Sequence, residues 1–271
     1  MTHAQLDLSA YLERIGYDGP LVPSLATLNG IIAAHTQCIP FENLDVLLGR
    51  EIALDNASLR KKLIENNRGG YCFEQNGLLI SVLEILGFEV APISARVRIG
   101  SERDHIPPRT HLFARVEIEG TSWFADVGVG GLTPTSAIRF VLDVTQSSSH
   151  EPRRIVREGD LYFHQVLLDD GWKDVCDFTL EQMPLIDREV ANWYTSTHPE
   201  SHFRDRLLVA RATPEGGRVT IQNDIFNMRN AAGVANKQKI TSKEDLLQIL
   251  ARHFGLRFDM DIPLTFPNLS W

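Results

Sequence analysis

Hydrophobic positions recur at helical spacing through the first third of the chain and change to a two-residue alternation after Gly87. Leu8, Tyr11, Leu12 and Ile15 form one helical stripe, with Asp7 as a side-chain cap and Gly16 as its stop. Segments 24 to about 35 and 56 to about 66 follow the same grammar. A further helix carries Leu78, Leu79, Val82, Leu83, Ile85 and Leu86 up to Gly87, where a C-terminal cap falls. Beyond it, segments 88–99, 110–119, 122–127, 137–144, 153–157, 161–168 and 172–179 are β-rich and separated by turn residues such as Glu119-Gly120, Glu158-Gly159-Asp160 and Asp169-Asp170-Gly171. Short strands so joined predict an antiparallel sheet or small barrel. A helical piece at 185–194 follows, then a hairpin of 206–212 with 218–222. A last helix over 241–253 opens at the capping box Thr241-Ser242-Lys243-Glu244 and stops at Gly255. The pattern predicts an α+β chain of three units in series, 1–87, 88–200 and 201–271.

With 271 residues and 43% hydrophobic content the chain is long enough to bury a core. No apolar run approaches the ~20 residues of a membrane helix, and Met1-Thr2-His3-Ala4-Gln5 lacks a targeting signal, which predicts a cytoplasmic protein away from membranes. Cys38, Cys72 and Cys176 cannot all pair and show no metal-ligand spacing, so neither a disulfide framework nor a metal site is expected. A net charge of -8 argues against nucleic acid. Arg96, Arg98, Arg103 and Arg109 form either a local basic patch for an anionic cofactor or a solvated loop face.

The stretch Arg68-Gly69-Gly70-Tyr71-Cys72-Phe73-Glu74-Gln75-Asn76-Gly77 reads as a glycine turn that delivers Cys72 to the first turn of the apolar helix. Unpaired backbone N–H groups and the macrodipole favour a thiolate there, the nucleophilic form. The alternative is a buried cysteine that packs as a small hydrophobe. A thiolate needs a base, and the base a group to orient it. In Thr110-His111-Leu112-Phe113-Ala114-Arg115-Val116, the apolar alternation sets His111 near the start of a strand, on the face opposite Leu112 and Ala114. Asp126 interrupts the next apolar strand just before the Gly128-Val129-Gly130-Gly131 loop. The two are nearly equidistant from Glu119-Gly120, so they fall roughly opposite each other if a hairpin turns there. Singly, His111 is equally a satisfied strand histidine and Asp126 a turn cap.

Four motifs together resemble the arylamine N-acetyltransferase family: Ile39-Pro40-Phe41-Glu42-Asn43-Leu44, the Arg68–Asn76 run, Thr110-His111-Leu112 and Asp126-Val127-Gly128-Val129-Gly130-Gly131. The resemblance spans essentially the whole chain. It implies an N-terminal helical bundle, a central antiparallel β-barrel and a C-terminal α/β lid around a cysteine-proteinase-like core. It also implies a Cys72, His111 and Asp126 triad, with acetyl-CoA as co-substrate and no metal. The acceptor would be an aromatic amine or hydrazine, acetylated by a ping-pong route on a monomer or homodimer. The Cys72 N–H is the expected oxyanion donor, with a second near Thr110 or His111. Gly128, Gly130 and Gly131 either cradle the CoA pyrophosphate or form a plain turn. Phe41 and Val129 are expected pocket walls, and Val129 stands where many relatives carry an aromatic. Glu42 and Arg68 are expected to pair in support. The rival readings are an amide synthase or papain- or transglutaminase-like thiol hydrolase with the same triad, and a silent binding module on the same scaffold.

Overall fold

The computed structural model describes residues 6–264. Met1 to Gln5, on which the absence of a targeting signal was read, lie outside the described residues. Helix α1 (Leu8–Ile15) is capped by Asp7, whose Oδ1 accepts from Ala10 N at 3.1 Å, and ends at Gly16 with φ 66°. Helix α2 (Leu25–Cys38) starts at Ser24. The two-residue strand β1 (Phe41–Glu42), one-turn helices α3 (Leu44–Leu47) and α4 (Asn56–Leu59), and a π-helical stretch Arg60–Glu65 lead to helix α5 (Cys72–Ile85). Because α5 is apolar or tightly bonded on nearly every side, it becomes the axis of the largest core.

The barrel is one antiparallel sheet of β2 (Glu89–Val97), β3 (His111–Ile118), β4 (Thr121–Ala125), β5 (Ile138–Arg139), β6 (Arg153–Glu158), β7 (Leu161–Leu168) and β8 (Gly171–Gln182), in the order β5-β4-β3-β2-β8-β7-β6. Isolated bridges Leu142↔Ile155 and Gln146↔Arg153 join its far edges and nearly close it. Both faces of β3 are buried at its start. Leu112, Ala114 and Val116 pack on the α5 core, while Phe113 points into the barrel against Phe124 and Phe178. The segment expected as a strand over 137–144 forms a strand only at Ile138–Arg139, with an isolated bridge at Leu142; Asp143 takes φ 61° and breaks the extended run.

Helix α6 (Leu185–Thr197) leads into a second sheet, β1-β9-β10-β11-β12, formed by β1 with β9 (Leu208–Ala212), β10 (Arg218–Gln222), β11 (Ile225–Arg229) and β12 (Ala235–Lys239). Strands β11 and β12 carried no alternation to read, since every residue of β12 is exposed. Strand β1 pairs with β9 at Phe41↔Ala210, so the helical third and the last third share one sheet. Helix α7 (Lys243–Ile249) begins one residue later than the expected capping box. Ser242 is the cap, its hydroxyl accepting from Asp245 N at 3.1 Å, and Asp245 Oδ2 returns to Thr241 N at 3.1 Å. A π-helical stretch carries the chain on to Gly255, at φ 71°.

Charges inside this frame are paired. Arg98 meets Asp177, Arg103 meets Asp174 and Glu158, and Arg109 meets Glu181, so three of the four clustered arginines are paired with acids, while Arg96 donates to Pro107 O at 2.6 Å. Buried Glu151 takes Arg218 at 2.7 and 2.8 Å and Arg153 at 3.2 Å, with Arg229 also on it. Arg153 and Arg218 in turn donate to Leu132 O at 2.8 Å and Thr133 O at 2.7 Å, which pins the end of the glycine loop. Among the described residues no helix is long and apolar enough to cross a membrane, and no group of His, Cys, Asp and Glu is arranged to hold a metal.

Candidate active site

The start of α5 is positioned by close backbone approach. A side chain at Gly69 would come within 2.1 Å of Pro40 O, and one at Gly70 within 2.7 Å of the Glu74 carboxylate. Gly70 O accepts from Glu42 N at 3.0 Å, and Glu74 Oε2 accepts from Tyr71 N at 3.0 Å, closing the first turn. Cys72 is the first helical residue, so its N–H has no acceptor within the helix. It is 4% exposed, and its thiol donates to Thr110 O at 3.4 Å.

The β3–β4 hairpin turns through Glu119 and Gly120, both at positive φ, and pairs Ile118↔Thr121 through Ala114↔Ala125. That register sets Asp126 two residues from a position opposite His111. The acid reaches it diagonally from the end of β4, a separation that cross-strand side chains span. His111 Nε2 donates to Asp126 Oδ2 at 2.7 Å. The other carboxylate oxygen accepts from Asn76 Nδ2 at 2.9 Å and Gly128 N at 2.8 Å. Asn76, one helical turn beyond Cys72, also donates to Leu112 O at 2.7 Å and accepts from Val127 N at 2.9 Å. It therefore stitches α5, β3 and the Asp126 turn together.

Burial alone would lower the basicity of His111, but the charge and hydrogen bond of Asp126, with a further contribution from Cys72, raise its pKa to about 10. Burial likewise disfavours the Asp126 anion, and the His111 charge with the Gly128 and Asn76 hydrogen bonds more than offsets this, holding the carboxyl below its ordinary range. The ring is thus an imidazolium at neutral pH. Its Nδ1 makes no hydrogen bond in ideal geometry and is the nitrogen left for sulfur.

Beneath Cys72 lies a buried ionic layer. Arg68 donates to Glu42 Oε1 through Nε at 2.9 Å and a terminal nitrogen at 2.6 Å, and to Asp45 at 3.1 Å, while Glu42 Oε2 accepts from Leu44 N at 2.7 Å. Lys62 bridges Asp45 and Glu74 at 2.8 and 2.6 Å. On the other side, Gln75 donates to Pro40 O at 2.8 Å and meets buried His35 at 2.5 Å, and His35 meets Tyr11 at 2.9 Å. The Phe41 segment and α5 are locked together by side chains from both.

Cys72, Thr110, His111, Phe41, Gly128, Val129, Gly130 and Gly131 all line one cavity of about 520 Å³. A Cβ on Gly128 would fall 2.8 Å from Cys72 Cα, which is why glycine stands there. With its N–H given to Asp126, Gly128 offers no amide to a phosphate. The Thr110 N–H is used by Pro108 O at 3.0 Å, which removes one expected oxyanion donor. Gly130, at φ 93°, lies over the Phe41 ring. A larger cavity of about 790 Å³ between the Val46–Asp55 segment and α6 has, among the described residues, no cysteine or histidine on its walls.

A family model described as N-acetyltransferase matches residues 24–262. The chain belongs to the arylamine N-acetyltransferase family. It is therefore an acyltransferase. It is 39% identical to the arylamine N-acetyltransferase of Escherichia coli over 93% of this chain and 89% of the relative, and 40% identical to that of Mycolicibacterium smegmatis over 93% and 92%. The solved Salmonella typhimurium arylamine N-acetyltransferase superposes with a TM-score of 0.89 at 36% identity, covering 95% of this chain and 94% of that one. The Mycobacterium marinum enzyme in complex with CoA superposes at 0.88 with 34% identity, covering 92% of each chain.

Sequence reasoning missed several wall and support residues. Asn76 stood inside a motif already quoted, and its signal was a polar side chain one turn from Cys72 on a buried helix. His202, Phe203 and Arg206 also line the cavity. They are brought there by a short 3₁₀ turn, His202–Arg204, with no local pattern to announce it.

Proposed function

We propose that this family member moves an acetyl group from acetyl-CoA to an aromatic amine or hydrazine through an acetyl-Cys72 intermediate. The Cys72 thiolate attacks the thioester carbonyl, the carbon–sulfur bond to CoA breaks, and the departing CoA sulfur takes the proton held on His111. The amine then attacks the acetyl carbonyl, gives its proton back to His111 and releases the Cys72 thiolate. Asp126 keeps the ring charged and oriented, and the Cys72 N–H at the helix start stabilises the tetrahedral oxyanion. Phe41 and Val129 wall the acceptor space, and Glu42 with Arg68 supports the turn before Cys72. Gly130 and Gly131 let the donor approach the loop closely.

The observation that carries this reading is a cysteine at a buried helix start sharing one cavity with a histidine bonded to a buried carboxylate. The donor and acceptor follow from the relatives, whose names include arylamine acetylation and one of whose structures holds CoA. Intact-mass measurement after mixing with acetyl-CoA, without amine, tests it. One added acetyl group that persists until amine is supplied, and is absent from Cys72→Ala, is expected. An unmodified wild-type mass would overturn the covalent route, and immediate loss of the acetyl group to water would make the protein a thiol hydrolase.

A further inference from the structure

The chain carries 35 acidic residues and a net charge of -8, yet among the described residues no Asp or Glu lines the Cys72 cavity. The one Arg or Lys among them is Arg206. Its setting differs from that of Arg98, Arg103 and Arg109 on the barrel, which meet carboxylates within hydrogen-bond range. The ion-pair contact of Arg206 is with the adjacent Asp205 at 3.8 Å, beyond that range, and its side chain is 51% exposed. The backbone around it is fixed. Arg206 N donates to His202 O at 3.1 Å, and Asn43 Nδ2 donates to both Arg206 O at 2.7 Å and Phe203 O at 2.8 Å. Asn43 thus ties Phe203 and Arg206 to the Phe41 segment, and the Phe41 and Phe203 rings stand 6.2 Å apart. Burial, and then the charge of Arg206, keep the neighbouring His202 below its ordinary pKa, so this wall holds a neutral imidazole beside a permanent cation.

We propose that Arg206 recognises an oxyanion in the Cys72 cavity, namely a carboxylate on the ring of the arylamine acceptor. A ring seated against the two phenylalanines directs a substituent toward the turn that carries Arg206, and a guanidinium fork matches a carboxylate. With no acid among the described lining residues, the acid nearest that fork is the adjacent Asp205 at 3.8 Å, outside hydrogen-bond range, and cationic acceptors are disfavoured. The same oxyanion chemistry exists in the CoA phosphates, and this assignment rests on the acetyl-transfer reading above.

The test compares Arg206→Gln and Arg206→Lys with wild type, using 4-aminobenzoate against 4-methylaniline as acceptors. In Arg206→Gln the ratio of kcat/KM for the acid over the neutral amine should fall about tenfold, mainly through KM, with partial recovery in Arg206→Lys. An unchanged ratio overturns the proposal. A second arm measures acetyl-Cys72 formation from acetyl-CoA and from the acetyl thioester of N-acetylcysteamine, which has no phosphate. A loss confined to acetyl-CoA assigns Arg206 to the nucleotide phosphates and overturns the acceptor assignment. Normal acetylation from both donors separates a failure of this proposal from a failure of acetyl transfer itself.

Discussion

Replacing Asp126 with asparagine keeps the side chain's shape and removes the charge that holds His111 protonated. Its oxygen must still accept from Asn76 Nδ2 and Gly128 N, which leaves the new amide nitrogen facing His111 Nε2. An amide N–H there must donate, so the ring proton moves to Nδ1, and the imidazole becomes neutral in the tautomer unable to take a proton from sulfur. The rise of His111 from 6.5 to about 10 corresponds to about 5 kcal/mol favouring the imidazolium, and burial works against it once the carboxylate is gone. Taking most of that difference as lost, single-turnover acetylation of Cys72 at neutral pH should slow by roughly a thousandfold, comparable with removal of the acid from other triads. Rapid-quench intact mass across pH 5 to 10, with iodoacetamide alkylation of Cys72 alongside, reads this directly. Proton linkage adds a check on stability. Because the folded-state pKa of His111 is raised, its contribution is fully present below about pH 6.5 and is lost as pH rises through about 10. The wild type's advantage over the variant should therefore shrink over that window. An Asp126→Asn enzyme within tenfold of the wild-type acetylation rate, or with the wild-type alkylation profile, would refute the reasoning.

Gly128→Ala should cost about 1–3 kcal/mol, because its Cβ meets Cys72 Cα and Asn76 Nδ2 at 2.8 Å and neither is a flexible end; urea unfolding and acetylation rate should fall together, and a variant with both intact contradicts the close approach. His35 is buried and held near pKa 4 by desolvation, so its unfolded form binds more protons between about 4 and 6.5 and the fold loses stability as pH drops through that range. Differential calorimetry should show a shallower acid-side decline in His35→Asn, and parallel declines would count against this account. Glu151→Gln removes the anion shared by Arg153, Arg218 and Arg229, and leaving the two buried arginines uncompensated should cost about 3–5 kcal/mol in denaturant unfolding. A loss under about 1 kcal/mol would mean that solvent already shields the cluster.

How much of this was readable in advance follows the range of the interactions. The Cys72 helix was legible because every device that makes it is local: two glycines, a capping glutamate three residues after Tyr71, and an apolar run. The barrel strands followed from alternation and turns, and the β3–β4 hairpin from Glu119-Gly120. Its register was two residues away from setting His111 opposite Asp126, since a two-residue turn fixes pairing only once its φ angles are known. Strand β12 was invisible because it is exposed on both faces, and β1 because two residues carry no period. Arg98, Arg103 and Arg109 had two meanings in one dimension and took one only when Asp177, Asp174 and Glu181 arrived from a single later strand.

By itself, the order of residues determined where a nucleophile could sit, which fold class would carry it and which family it belongs to, because propensity, capping and motif spacing act over short stretches of chain. Only the tertiary structure decided that Asn76 orients Asp126, that the Gly128 amide is already taken, and that Phe203 and Arg206 complete the cavity wall. Those outcomes depend on distances between segments far apart in the chain. Such distances are set by how cores pack and which buried polar groups find partners, and no local pattern encodes them.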